Sequence, residues 1–330
     1  MINTSINYLK SLQINNGLFR ASKKTANTGY DRIWIRDNLY TSIAFETIND
    51  KTTVENIYHE LFNIFKKYEW KIDEVIKEKP TEDFKFIHPL YTDTLEEIKE
   101  GWGWKQNDAI GGFLFFTGYY QSKNYNIICS NHCQTIIEKL IKYLQSIKYW
   151  EDEDNGMWEE NKEIHASSVG ACVAGLNMIK NYICVPDNLI KNGENSLNNI
   201  LPKESKTKKT DLSLLSLIYP YNIVNEKIKK RILNDTEKNL AHEKGITRYI
   251  NDQYYNQENI EAKWTMGLPW MAICYYQLGN FKKYKEYLIK TINASNNKLE
   301  MTELFINNKT PNKNTPLAWS QSLLVKAMSL

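Results

Sequence analysis

Ile136-Ile137-Glu138-Lys139-Leu140-Ile141-Lys142-Tyr143-Leu144 places its aliphatic residues three and four positions apart. That is the period of an α-helix with one buried face. The pattern breaks over 150–163 into a loop rich in Trp, Asp and Glu, and a new helix is expected over 164–182. Working outward, the same helical spacing recurs at Ile57, Leu61, Ile64, Phe65 and Tyr68, and again at Phe281, Tyr284, Leu288 and Ile292. Further helices are expected over 3–12, 37–49, 106–121, 225–240, 264–278 and 317–329, and no series of alternating strands competes. Loops at 29–38, 82–105, 150–163, 245–264 and 299–316 follow roughly every second helix, and connections of that length inside a compact fold are often functional. The rhythm implies an all-α array of helical hairpins stacked side by side. Closed into a ring, it is a toroid with a cleft at the loop face. The Asn/Lys/Ser-rich segment 188–210 reads as a surface loop, so residues 1–330 are expected to form one domain.

Composition narrows the function. With 42% hydrophobic and 25% charged residues, the 330-residue chain is globular in type. No apolar run approaches the length that spans a bilayer, and Met1-Ile2-Asn3-Thr4-Ser5 lacks the features of a secretory leader. A soluble cytoplasmic protein is the expectation. The 42 basic and 39 acidic residues are interleaved, a balance that argues against a nucleic-acid binder. Cys129, Cys133, Cys172, Cys184 and Cys274 are odd in number and scattered, as structural thiols in a reducing compartment would be. Histidines are isolated, so neither a zinc helix nor a Cys/His dyad is visible, and any chemistry falls to carboxylates. The 9 Trp, 21 Tyr and 11 Phe exceed what composition alone explains: a large core, a sugar-stacking cleft and an interface all use such residues.

Three motifs lie in the loops. Arg36 and Asp37, within Gly29-Tyr30-Asp31-Arg32-Ile33-Trp34-Ile35-Arg36-Asp37, stand at the opening of a helix. They read either as a cap with a surface ion pair or as hydrogen-bonding partners for a polyhydroxylated ligand. Asn155-Gly156-Met157-Trp158-Glu159-Glu160 sets two carboxylates beside an indole, which suits acid catalysis at a sugar ring and equally suits a solvated loop. The neighbouring Glu151-Asp152-Glu153-Asp154 reads as a solvated acidic face. Met301-Thr302-Glu303-Leu304-Phe305 supplies a further Glu, needed because acetal hydrolysis by two carboxylates requires a partner from elsewhere in the chain.

Together these blocks resemble the glycoside hydrolase family that contains the glucoamylases, family 15, and the related amino-terminal region of the phosphorylase kinase regulatory subunits. The resemblance is carried, in order, by Ile33-Trp34-Ile35-Arg36-Asp37, Trp104 to Gln106 with Asp108, Trp158-Glu159-Glu160, and His165-Ala166-Ser167-Ser168. It continues through Asp211-Leu212-Ser213-Leu214-Leu215, Arg248-Tyr249 with Asp252, Trp264 through Trp270, Glu303, and Thr315 through Ser320. It implies an (α/α)6 toroid, a six-hairpin glycosidase-like barrel. It also implies inverting, exo-acting hydrolysis that releases β-D-glucose from the non-reducing ends of α-linked gluco-oligosaccharides, without metal or organic cofactor. Glu159 corresponds to the general acid and Glu303 to the general base, with Glu300 in reserve. Arg36, Asp37 and Arg248 correspond to residues that hold the hydroxyls of the reacting glucose, Trp158 and Glu160 flank it, and Trp104, Gln106 and Trp264 fall where the cleft is lined. The family's usual Arg-Tyr-Pro-Glu-Asp run stands here as Arg248-Tyr249-Ile250-Asn251-Asp252, one carboxylate short. A non-hydrolytic carbohydrate-binding or regulatory protein of the kinase-subunit type is the alternative that the resemblance leaves open.

Overall fold

In a computed structural model of the chain, described over residues 1–99 and 103–330, the helices alternate between an outer and an inner ring. Helix α1 (Ile2–Leu12) lies outside and α2 (Ile35–Thr47) inside; α3 (Lys51–Lys67) and α4 (Glu69–Lys77) lie outside and α5 (Asn107–Ser122) inside. The alternation continues with α6 (Asn131–Ile147) and α7 (Ala166–Ile179), then α8 (Asp187–Ile200) and a 3-10 segment (Leu212–Leu217). It ends with α9 (Glu226–Asn239) and α10 (Gly267–Gln277), then α11 (Phe281–Ala294) and α12 (Ala318–Met328). Each inner segment packs on the next, and α12 closes the ring on α2. This is the (α/α)6 toroid that the resemblance implies.

Burial separates the two rings. Outer helices bury one stripe: in α6 it is Cys133, Ile136, Ile137, Leu140, Ile141, Leu144 and their neighbours. Inner helices are surrounded, so every residue from Ile35 to Phe45 in α2 and from Asn107 to Gly118 in α5 is buried. Their N-termini are satisfied differently as well. Asp50, Ser130, Asn225 and Asn280 cap the outer helices α3, α6, α9 and α11 from the adjacent position. Inner helices α5 and α7 receive carboxylates from distant loops: Asn107 N–H donates to Asp154 (2.7 Å) and Ser167 N–H to Glu204 (3.1 Å).

Two expectations are corrected. Segment 188–210 is not simply a surface loop, because most of it is α8, whose Leu189, Ile190, Gly193 and Leu197 form a sparse buried stripe among exposed Asn and Lys residues. The acidic run 151–154 is not a solvated face: Asp152 and Asp154 are buried while Glu151 and Glu153 are exposed. Asp152 accepts from Lys105 Nζ (2.6 Å) and Asn107 Nδ2 (2.9 Å), partners that sequence spacing does not reveal. Short strands also pin the loops. β1 (Ile33–Trp34) pairs antiparallel with β2 (Leu90–Tyr91), and β3 (Lys263–Trp264) pairs with β4 (Leu304–Ile306), which continues to β5 (Thr310–Pro311). No helix among the described residues is long and apolar enough to cross a membrane.

Candidate active site

Connections from outer to inner helices emerge at one end of the ring, where a cavity of about 170 Å³ opens. Arg36 and Asp37 reach it from the first turn of α2, Trp158, Glu159 and Glu160 from the 150–163 loop, Arg248 and Trp264 from the 245–264 loop, and Glu303 from just before β4. These eight residues, separated by up to 267 positions, line one space. Trp104 and Gln106 do not line it. The Trp104 ring sits 4.2 Å from that of His88, and Gln106 Oε1 instead accepts from Arg36 Nη1 at 2.8 Å, behind the wall.

Glu159 rests on a tight turn. Glu159 N–H donates to Gly156 O (3.2 Å), Glu160 N–H to Asn155 O (3.0 Å), and the reciprocal bonds of Asp154 and Glu163 (3.0 and 3.1 Å) zip the loop base. Glu159 itself has φ = 63°, a left-handed conformation that costs a non-glycine residue of order 1 kcal/mol and recurs at functional sites. Its Oε1 accepts from Trp34 Nε1 (2.8 Å) and Arg36 Nη2 (3.3 Å). Arg36 also donates from Nη1 to Asp108 Oδ2 at 2.8 Å, an ion pair shut away from solvent. Burial raises the proton affinity of Glu159 above that of an ordinary glutamate, although Arg36, Gln106 and Trp34 favour its anion.

Glu303 is fully buried. Its Oε2 accepts from Asn312 Nδ2 (2.5 Å) and Asn314 Nδ2 (2.7 Å), and the Tyr30 hydroxyl also hydrogen-bonds to this carboxylate. Burial raises its proton affinity, against the opposing influence of the Tyr30 hydroxyl and the two asparagines. Asp37 is pushed up to about 7 by burial, with Arg36 opposing and Glu159 and Glu303 adding to the shift. Asp37, Glu159 and Glu303 therefore share one confined space with the ion-paired Glu160, and mutual repulsion favours keeping protons among them.

Glu160 differs from its neighbour. It accepts from Arg248 Nη2 (2.7 Å), Lys208 Nζ (2.8 Å) and Tyr249 hydroxyl (2.6 Å). Burial would raise its proton affinity, but the two cations hold it below the usual carboxylate range. Arg248 is fixed by Asp252 through Nε (2.7 Å) and Nη2 (2.6 Å), so the carboxylate four residues on supports the guanidinium in a run that lacks the family's other acid. Trp264 and Tyr254 face that guanidinium at 4.7 and 5.1 Å. Glu300 stays outside the cavity, bound to Lys23 Nζ at 2.6 Å.

Sequence reading passed over Asn312 and Asn314, which lie in the Lys/Asn-rich stretch 307–314 and look like ordinary loop residues. It also gave no role to Tyr254 or Met266, both in the cavity wall, since neither carries a spacing signal. Trp34 and Trp319 stand in blocks that carry the resemblance, and both line the cavity, Trp319 stacked 4.5 Å from Tyr40.

Fold and ring order define a toroidal, glucoamylase-like glycosidase architecture. Residues 1–182, just over half of the chain, match the model of glycosyl hydrolases family 15, and the chain belongs to that family. A variant glycosidase solved in complex with glucose superposes with a TM-score of 0.83 at 14% identity, over 99% of this chain and 94% of that one. Glucoamylase from Saccharomycopsis fibuligera gives 0.70 at 15% identity, over 98% and 92%. In sequence, the chain is 24% identical over 311 residues to the liver isoform of phosphorylase b kinase regulatory subunit alpha from Mus musculus, covering 77% of this chain and 25% of that subunit. The chain thus spans about a quarter of the length of this curated relative.

Proposed function

We propose that this protein is an inverting, exo-acting glucoside hydrolase that releases β-D-glucose from the non-reducing ends of soluble α-linked gluco-oligosaccharides in the cytoplasm, with residues 1–330 acting as one domain. The observation that carries this reading is that Glu159 and Glu303, from loops 144 positions apart, face one cavity with complementary hydrogen bonding. Oε1 of Glu159 is occupied by the Trp34 and Arg36 donors, so a proton on this carboxyl resides on Oε2, from which it passes to the glycosidic oxygen. Oε2 of Glu303 is occupied by two amide donors, so Oε1 is the atom that takes a proton from the attacking water on the opposite face. Arg36, Asp37 and Arg248 hold the hydroxyls of the reacting sugar, Trp158 and Glu160 flank it, and Trp264 is an apolar wall of the cleft. Trp104 and Gln106 act from behind the wall, Gln106 through Arg36.

A second reading, a carbohydrate-binding regulatory protein without turnover, draws on the kinase regulatory subunits among the sequence relatives. Incubation with maltose and longer maltooligosaccharides, followed by proton NMR of the first sugar released, separates the two. Initial β-glucose supports the inverting mechanism, initial α-glucose overturns it, and glucan binding without glucose release favours the regulatory reading.

A further inference from the structure

Behind the turn that carries Glu159 lies a buried cluster that the proposed chemistry does not use. His165, the residue that opens α7, is almost fully buried and pairs through Nδ1 with Glu204 Oε1 at 3.3 Å. Its ring presses on Gly156, where a Cβ would come within 2.8 Å of Cδ2. Its Nε2 faces the carbonyl of Asn161 at 3.4 Å, so one imidazole touches both ends of the acid-bearing turn. Glu204 is anchored in turn by Ser167 N–H (3.1 Å) and Ser167 Oγ (2.6 Å). Glu204 also begins a tight turn, closed by Glu204 N–H to Lys208 O at 3.0 Å, whose other side chains grip the same loop. Thr207 Oγ1 and Ser205 Oγ both donate to Glu163 Oε2, and Lys208 Nζ to Glu160 Oε2 at 2.8 Å.

We propose that the Glu204–Lys208 turn, acting through His165, is a clamp that positions the 155–161 loop and keeps Glu159 in its left-handed conformation facing the cavity. His165 and Glu204 are positioning residues, since neither lines the cavity. The clamp works as an ion pair. Burial opposes the imidazolium, but the hydrogen bond to Glu204 and the fields of Asp154 and Glu204 outweigh it, against Lys208, and push His165 up to about 9. Gly156 is required at the contact because its φ of 63° and the ring above it leave no room for a side chain. The catalytic part of this proposal rests on the hydrolase reading; the mechanical part does not.

Two variants test it in the full chain. Glu204→Gln keeps the shape of the side chain and its bonds to Ser167 but removes the charge that faces His165, and His165→Gln removes the ring. Hydrogen exchange at the amides of 156–161 is expected to quicken at least ~10-fold in each, beyond any quickening at the inner-helix amides that report global unfolding, while a lowered Tm accompanies the loss of the buried pair. With a maltooligosaccharide substrate, kcat is expected to fall by about 10²-fold with KM nearly unchanged, the pattern of a displaced acid rather than a lost binding contact. The double variant is expected to fall no further than either single one. Unchanged exchange over 156–161 overturns the clamp, as does a loss of kcat that only tracks a loss of folded protein. Should the wild-type chain hydrolyse no glucoside, the functional reading fails by itself and the exchange measurement still decides the clamp.

Discussion

At the residue scale, the two glutamates are distinguished by their partners rather than by burial alone. Glu159→Gln and Glu303→Gln are each expected to lower kcat by about 10²–10⁴-fold with the fold intact, as single-turnover or initial-rate assays would show. Glu300→Gln is expected to leave kcat unchanged, because Glu300 spends its carboxylate on Lys23 outside the cavity. A large loss there would reverse the assignment of the base. Asp37 makes a separate statement about pH. The folded chain keeps its proton up to about pH 7, whereas an unfolded Asp loses it near 4. Between those values the native state binds more protons, so stability falls as pH rises through that window and the deficit is complete above it. Asp37→Asn is therefore expected to be more stable than wild type at pH 8, by roughly 2–4 kcal/mol, and equal to it near pH 3. Parallel stability curves from urea titrations at the two pH values would refute the shift. That Arg36, Asp37, Glu159 and Glu303 belong to one set was legible as a run of motif blocks, and all four line the same cavity. That Asn312 and Asn314 hold Glu303 was not, since an amide donor in an Asn-rich loop carries no signal until the chain folds back on it.

At the element scale, the inner helices approach one another through glycine. A Cβ on Gly175 of α7 would lie 2.3 Å from the carbonyl oxygen of Gly111 in α5, and one on Gly111 would lie 2.4 Å from the Cys172 amide nitrogen. Both obstacles are backbone, which cannot move aside without separating the helices. Gly175→Ala is expected to destabilise the protein by about 1–3 kcal/mol or more, despite alanine's better helix propensity. Chemical denaturation measures it, and a stabilised variant would show the two helices to be further apart. The outer helices were easily read because each shows the solvent one polar face and the core one apolar face. Helix α8 escaped because its buried stripe of Leu189, Ile190 and Leu197 is thin among Asn and Lys residues. The burial of Asp152 and Asp154 escaped for a different reason: their compensating partners, Lys105 and the amides and side chain of the 105–107 region, lie some 45 positions upstream.

At the scale of the whole molecule, one hydrophobic core runs through both rings, from Ile6 in α1 to Ala327 in α12. The ends of the chain meet, with α1 packed on α12 and α12 on α2. A ring of this kind is expected to unfold in one cooperative thermal transition, with calorimetric and van't Hoff enthalpies equal. Removal of residues 318–330 opens the ring and removes Trp319 from the cavity wall, so that truncated chain is expected to lose the transition altogether. Two separate transitions in the full chain would divide it into more than one domain.

By itself the sequence determined the helical class, the hairpin rhythm and the family, and it singled out carboxylates that come to line the cavity, because periodicity and motif blocks are local properties of a chain. Tertiary structure alone decided which of those residues share a cavity, which oxygen of each glutamate is held by Trp34, Arg36, Asn312 and Asn314, and that Trp104 and Gln106 do not line it. It also decided that Glu160 is tied to Arg248, Lys208 and Tyr249 while the adjacent Glu159 is turned inward by a left-handed backbone. Proton affinity and hydrogen-bond direction depend on burial and on partners such as Trp34, 125 positions from Glu159, and those distances exist only once the ring has closed.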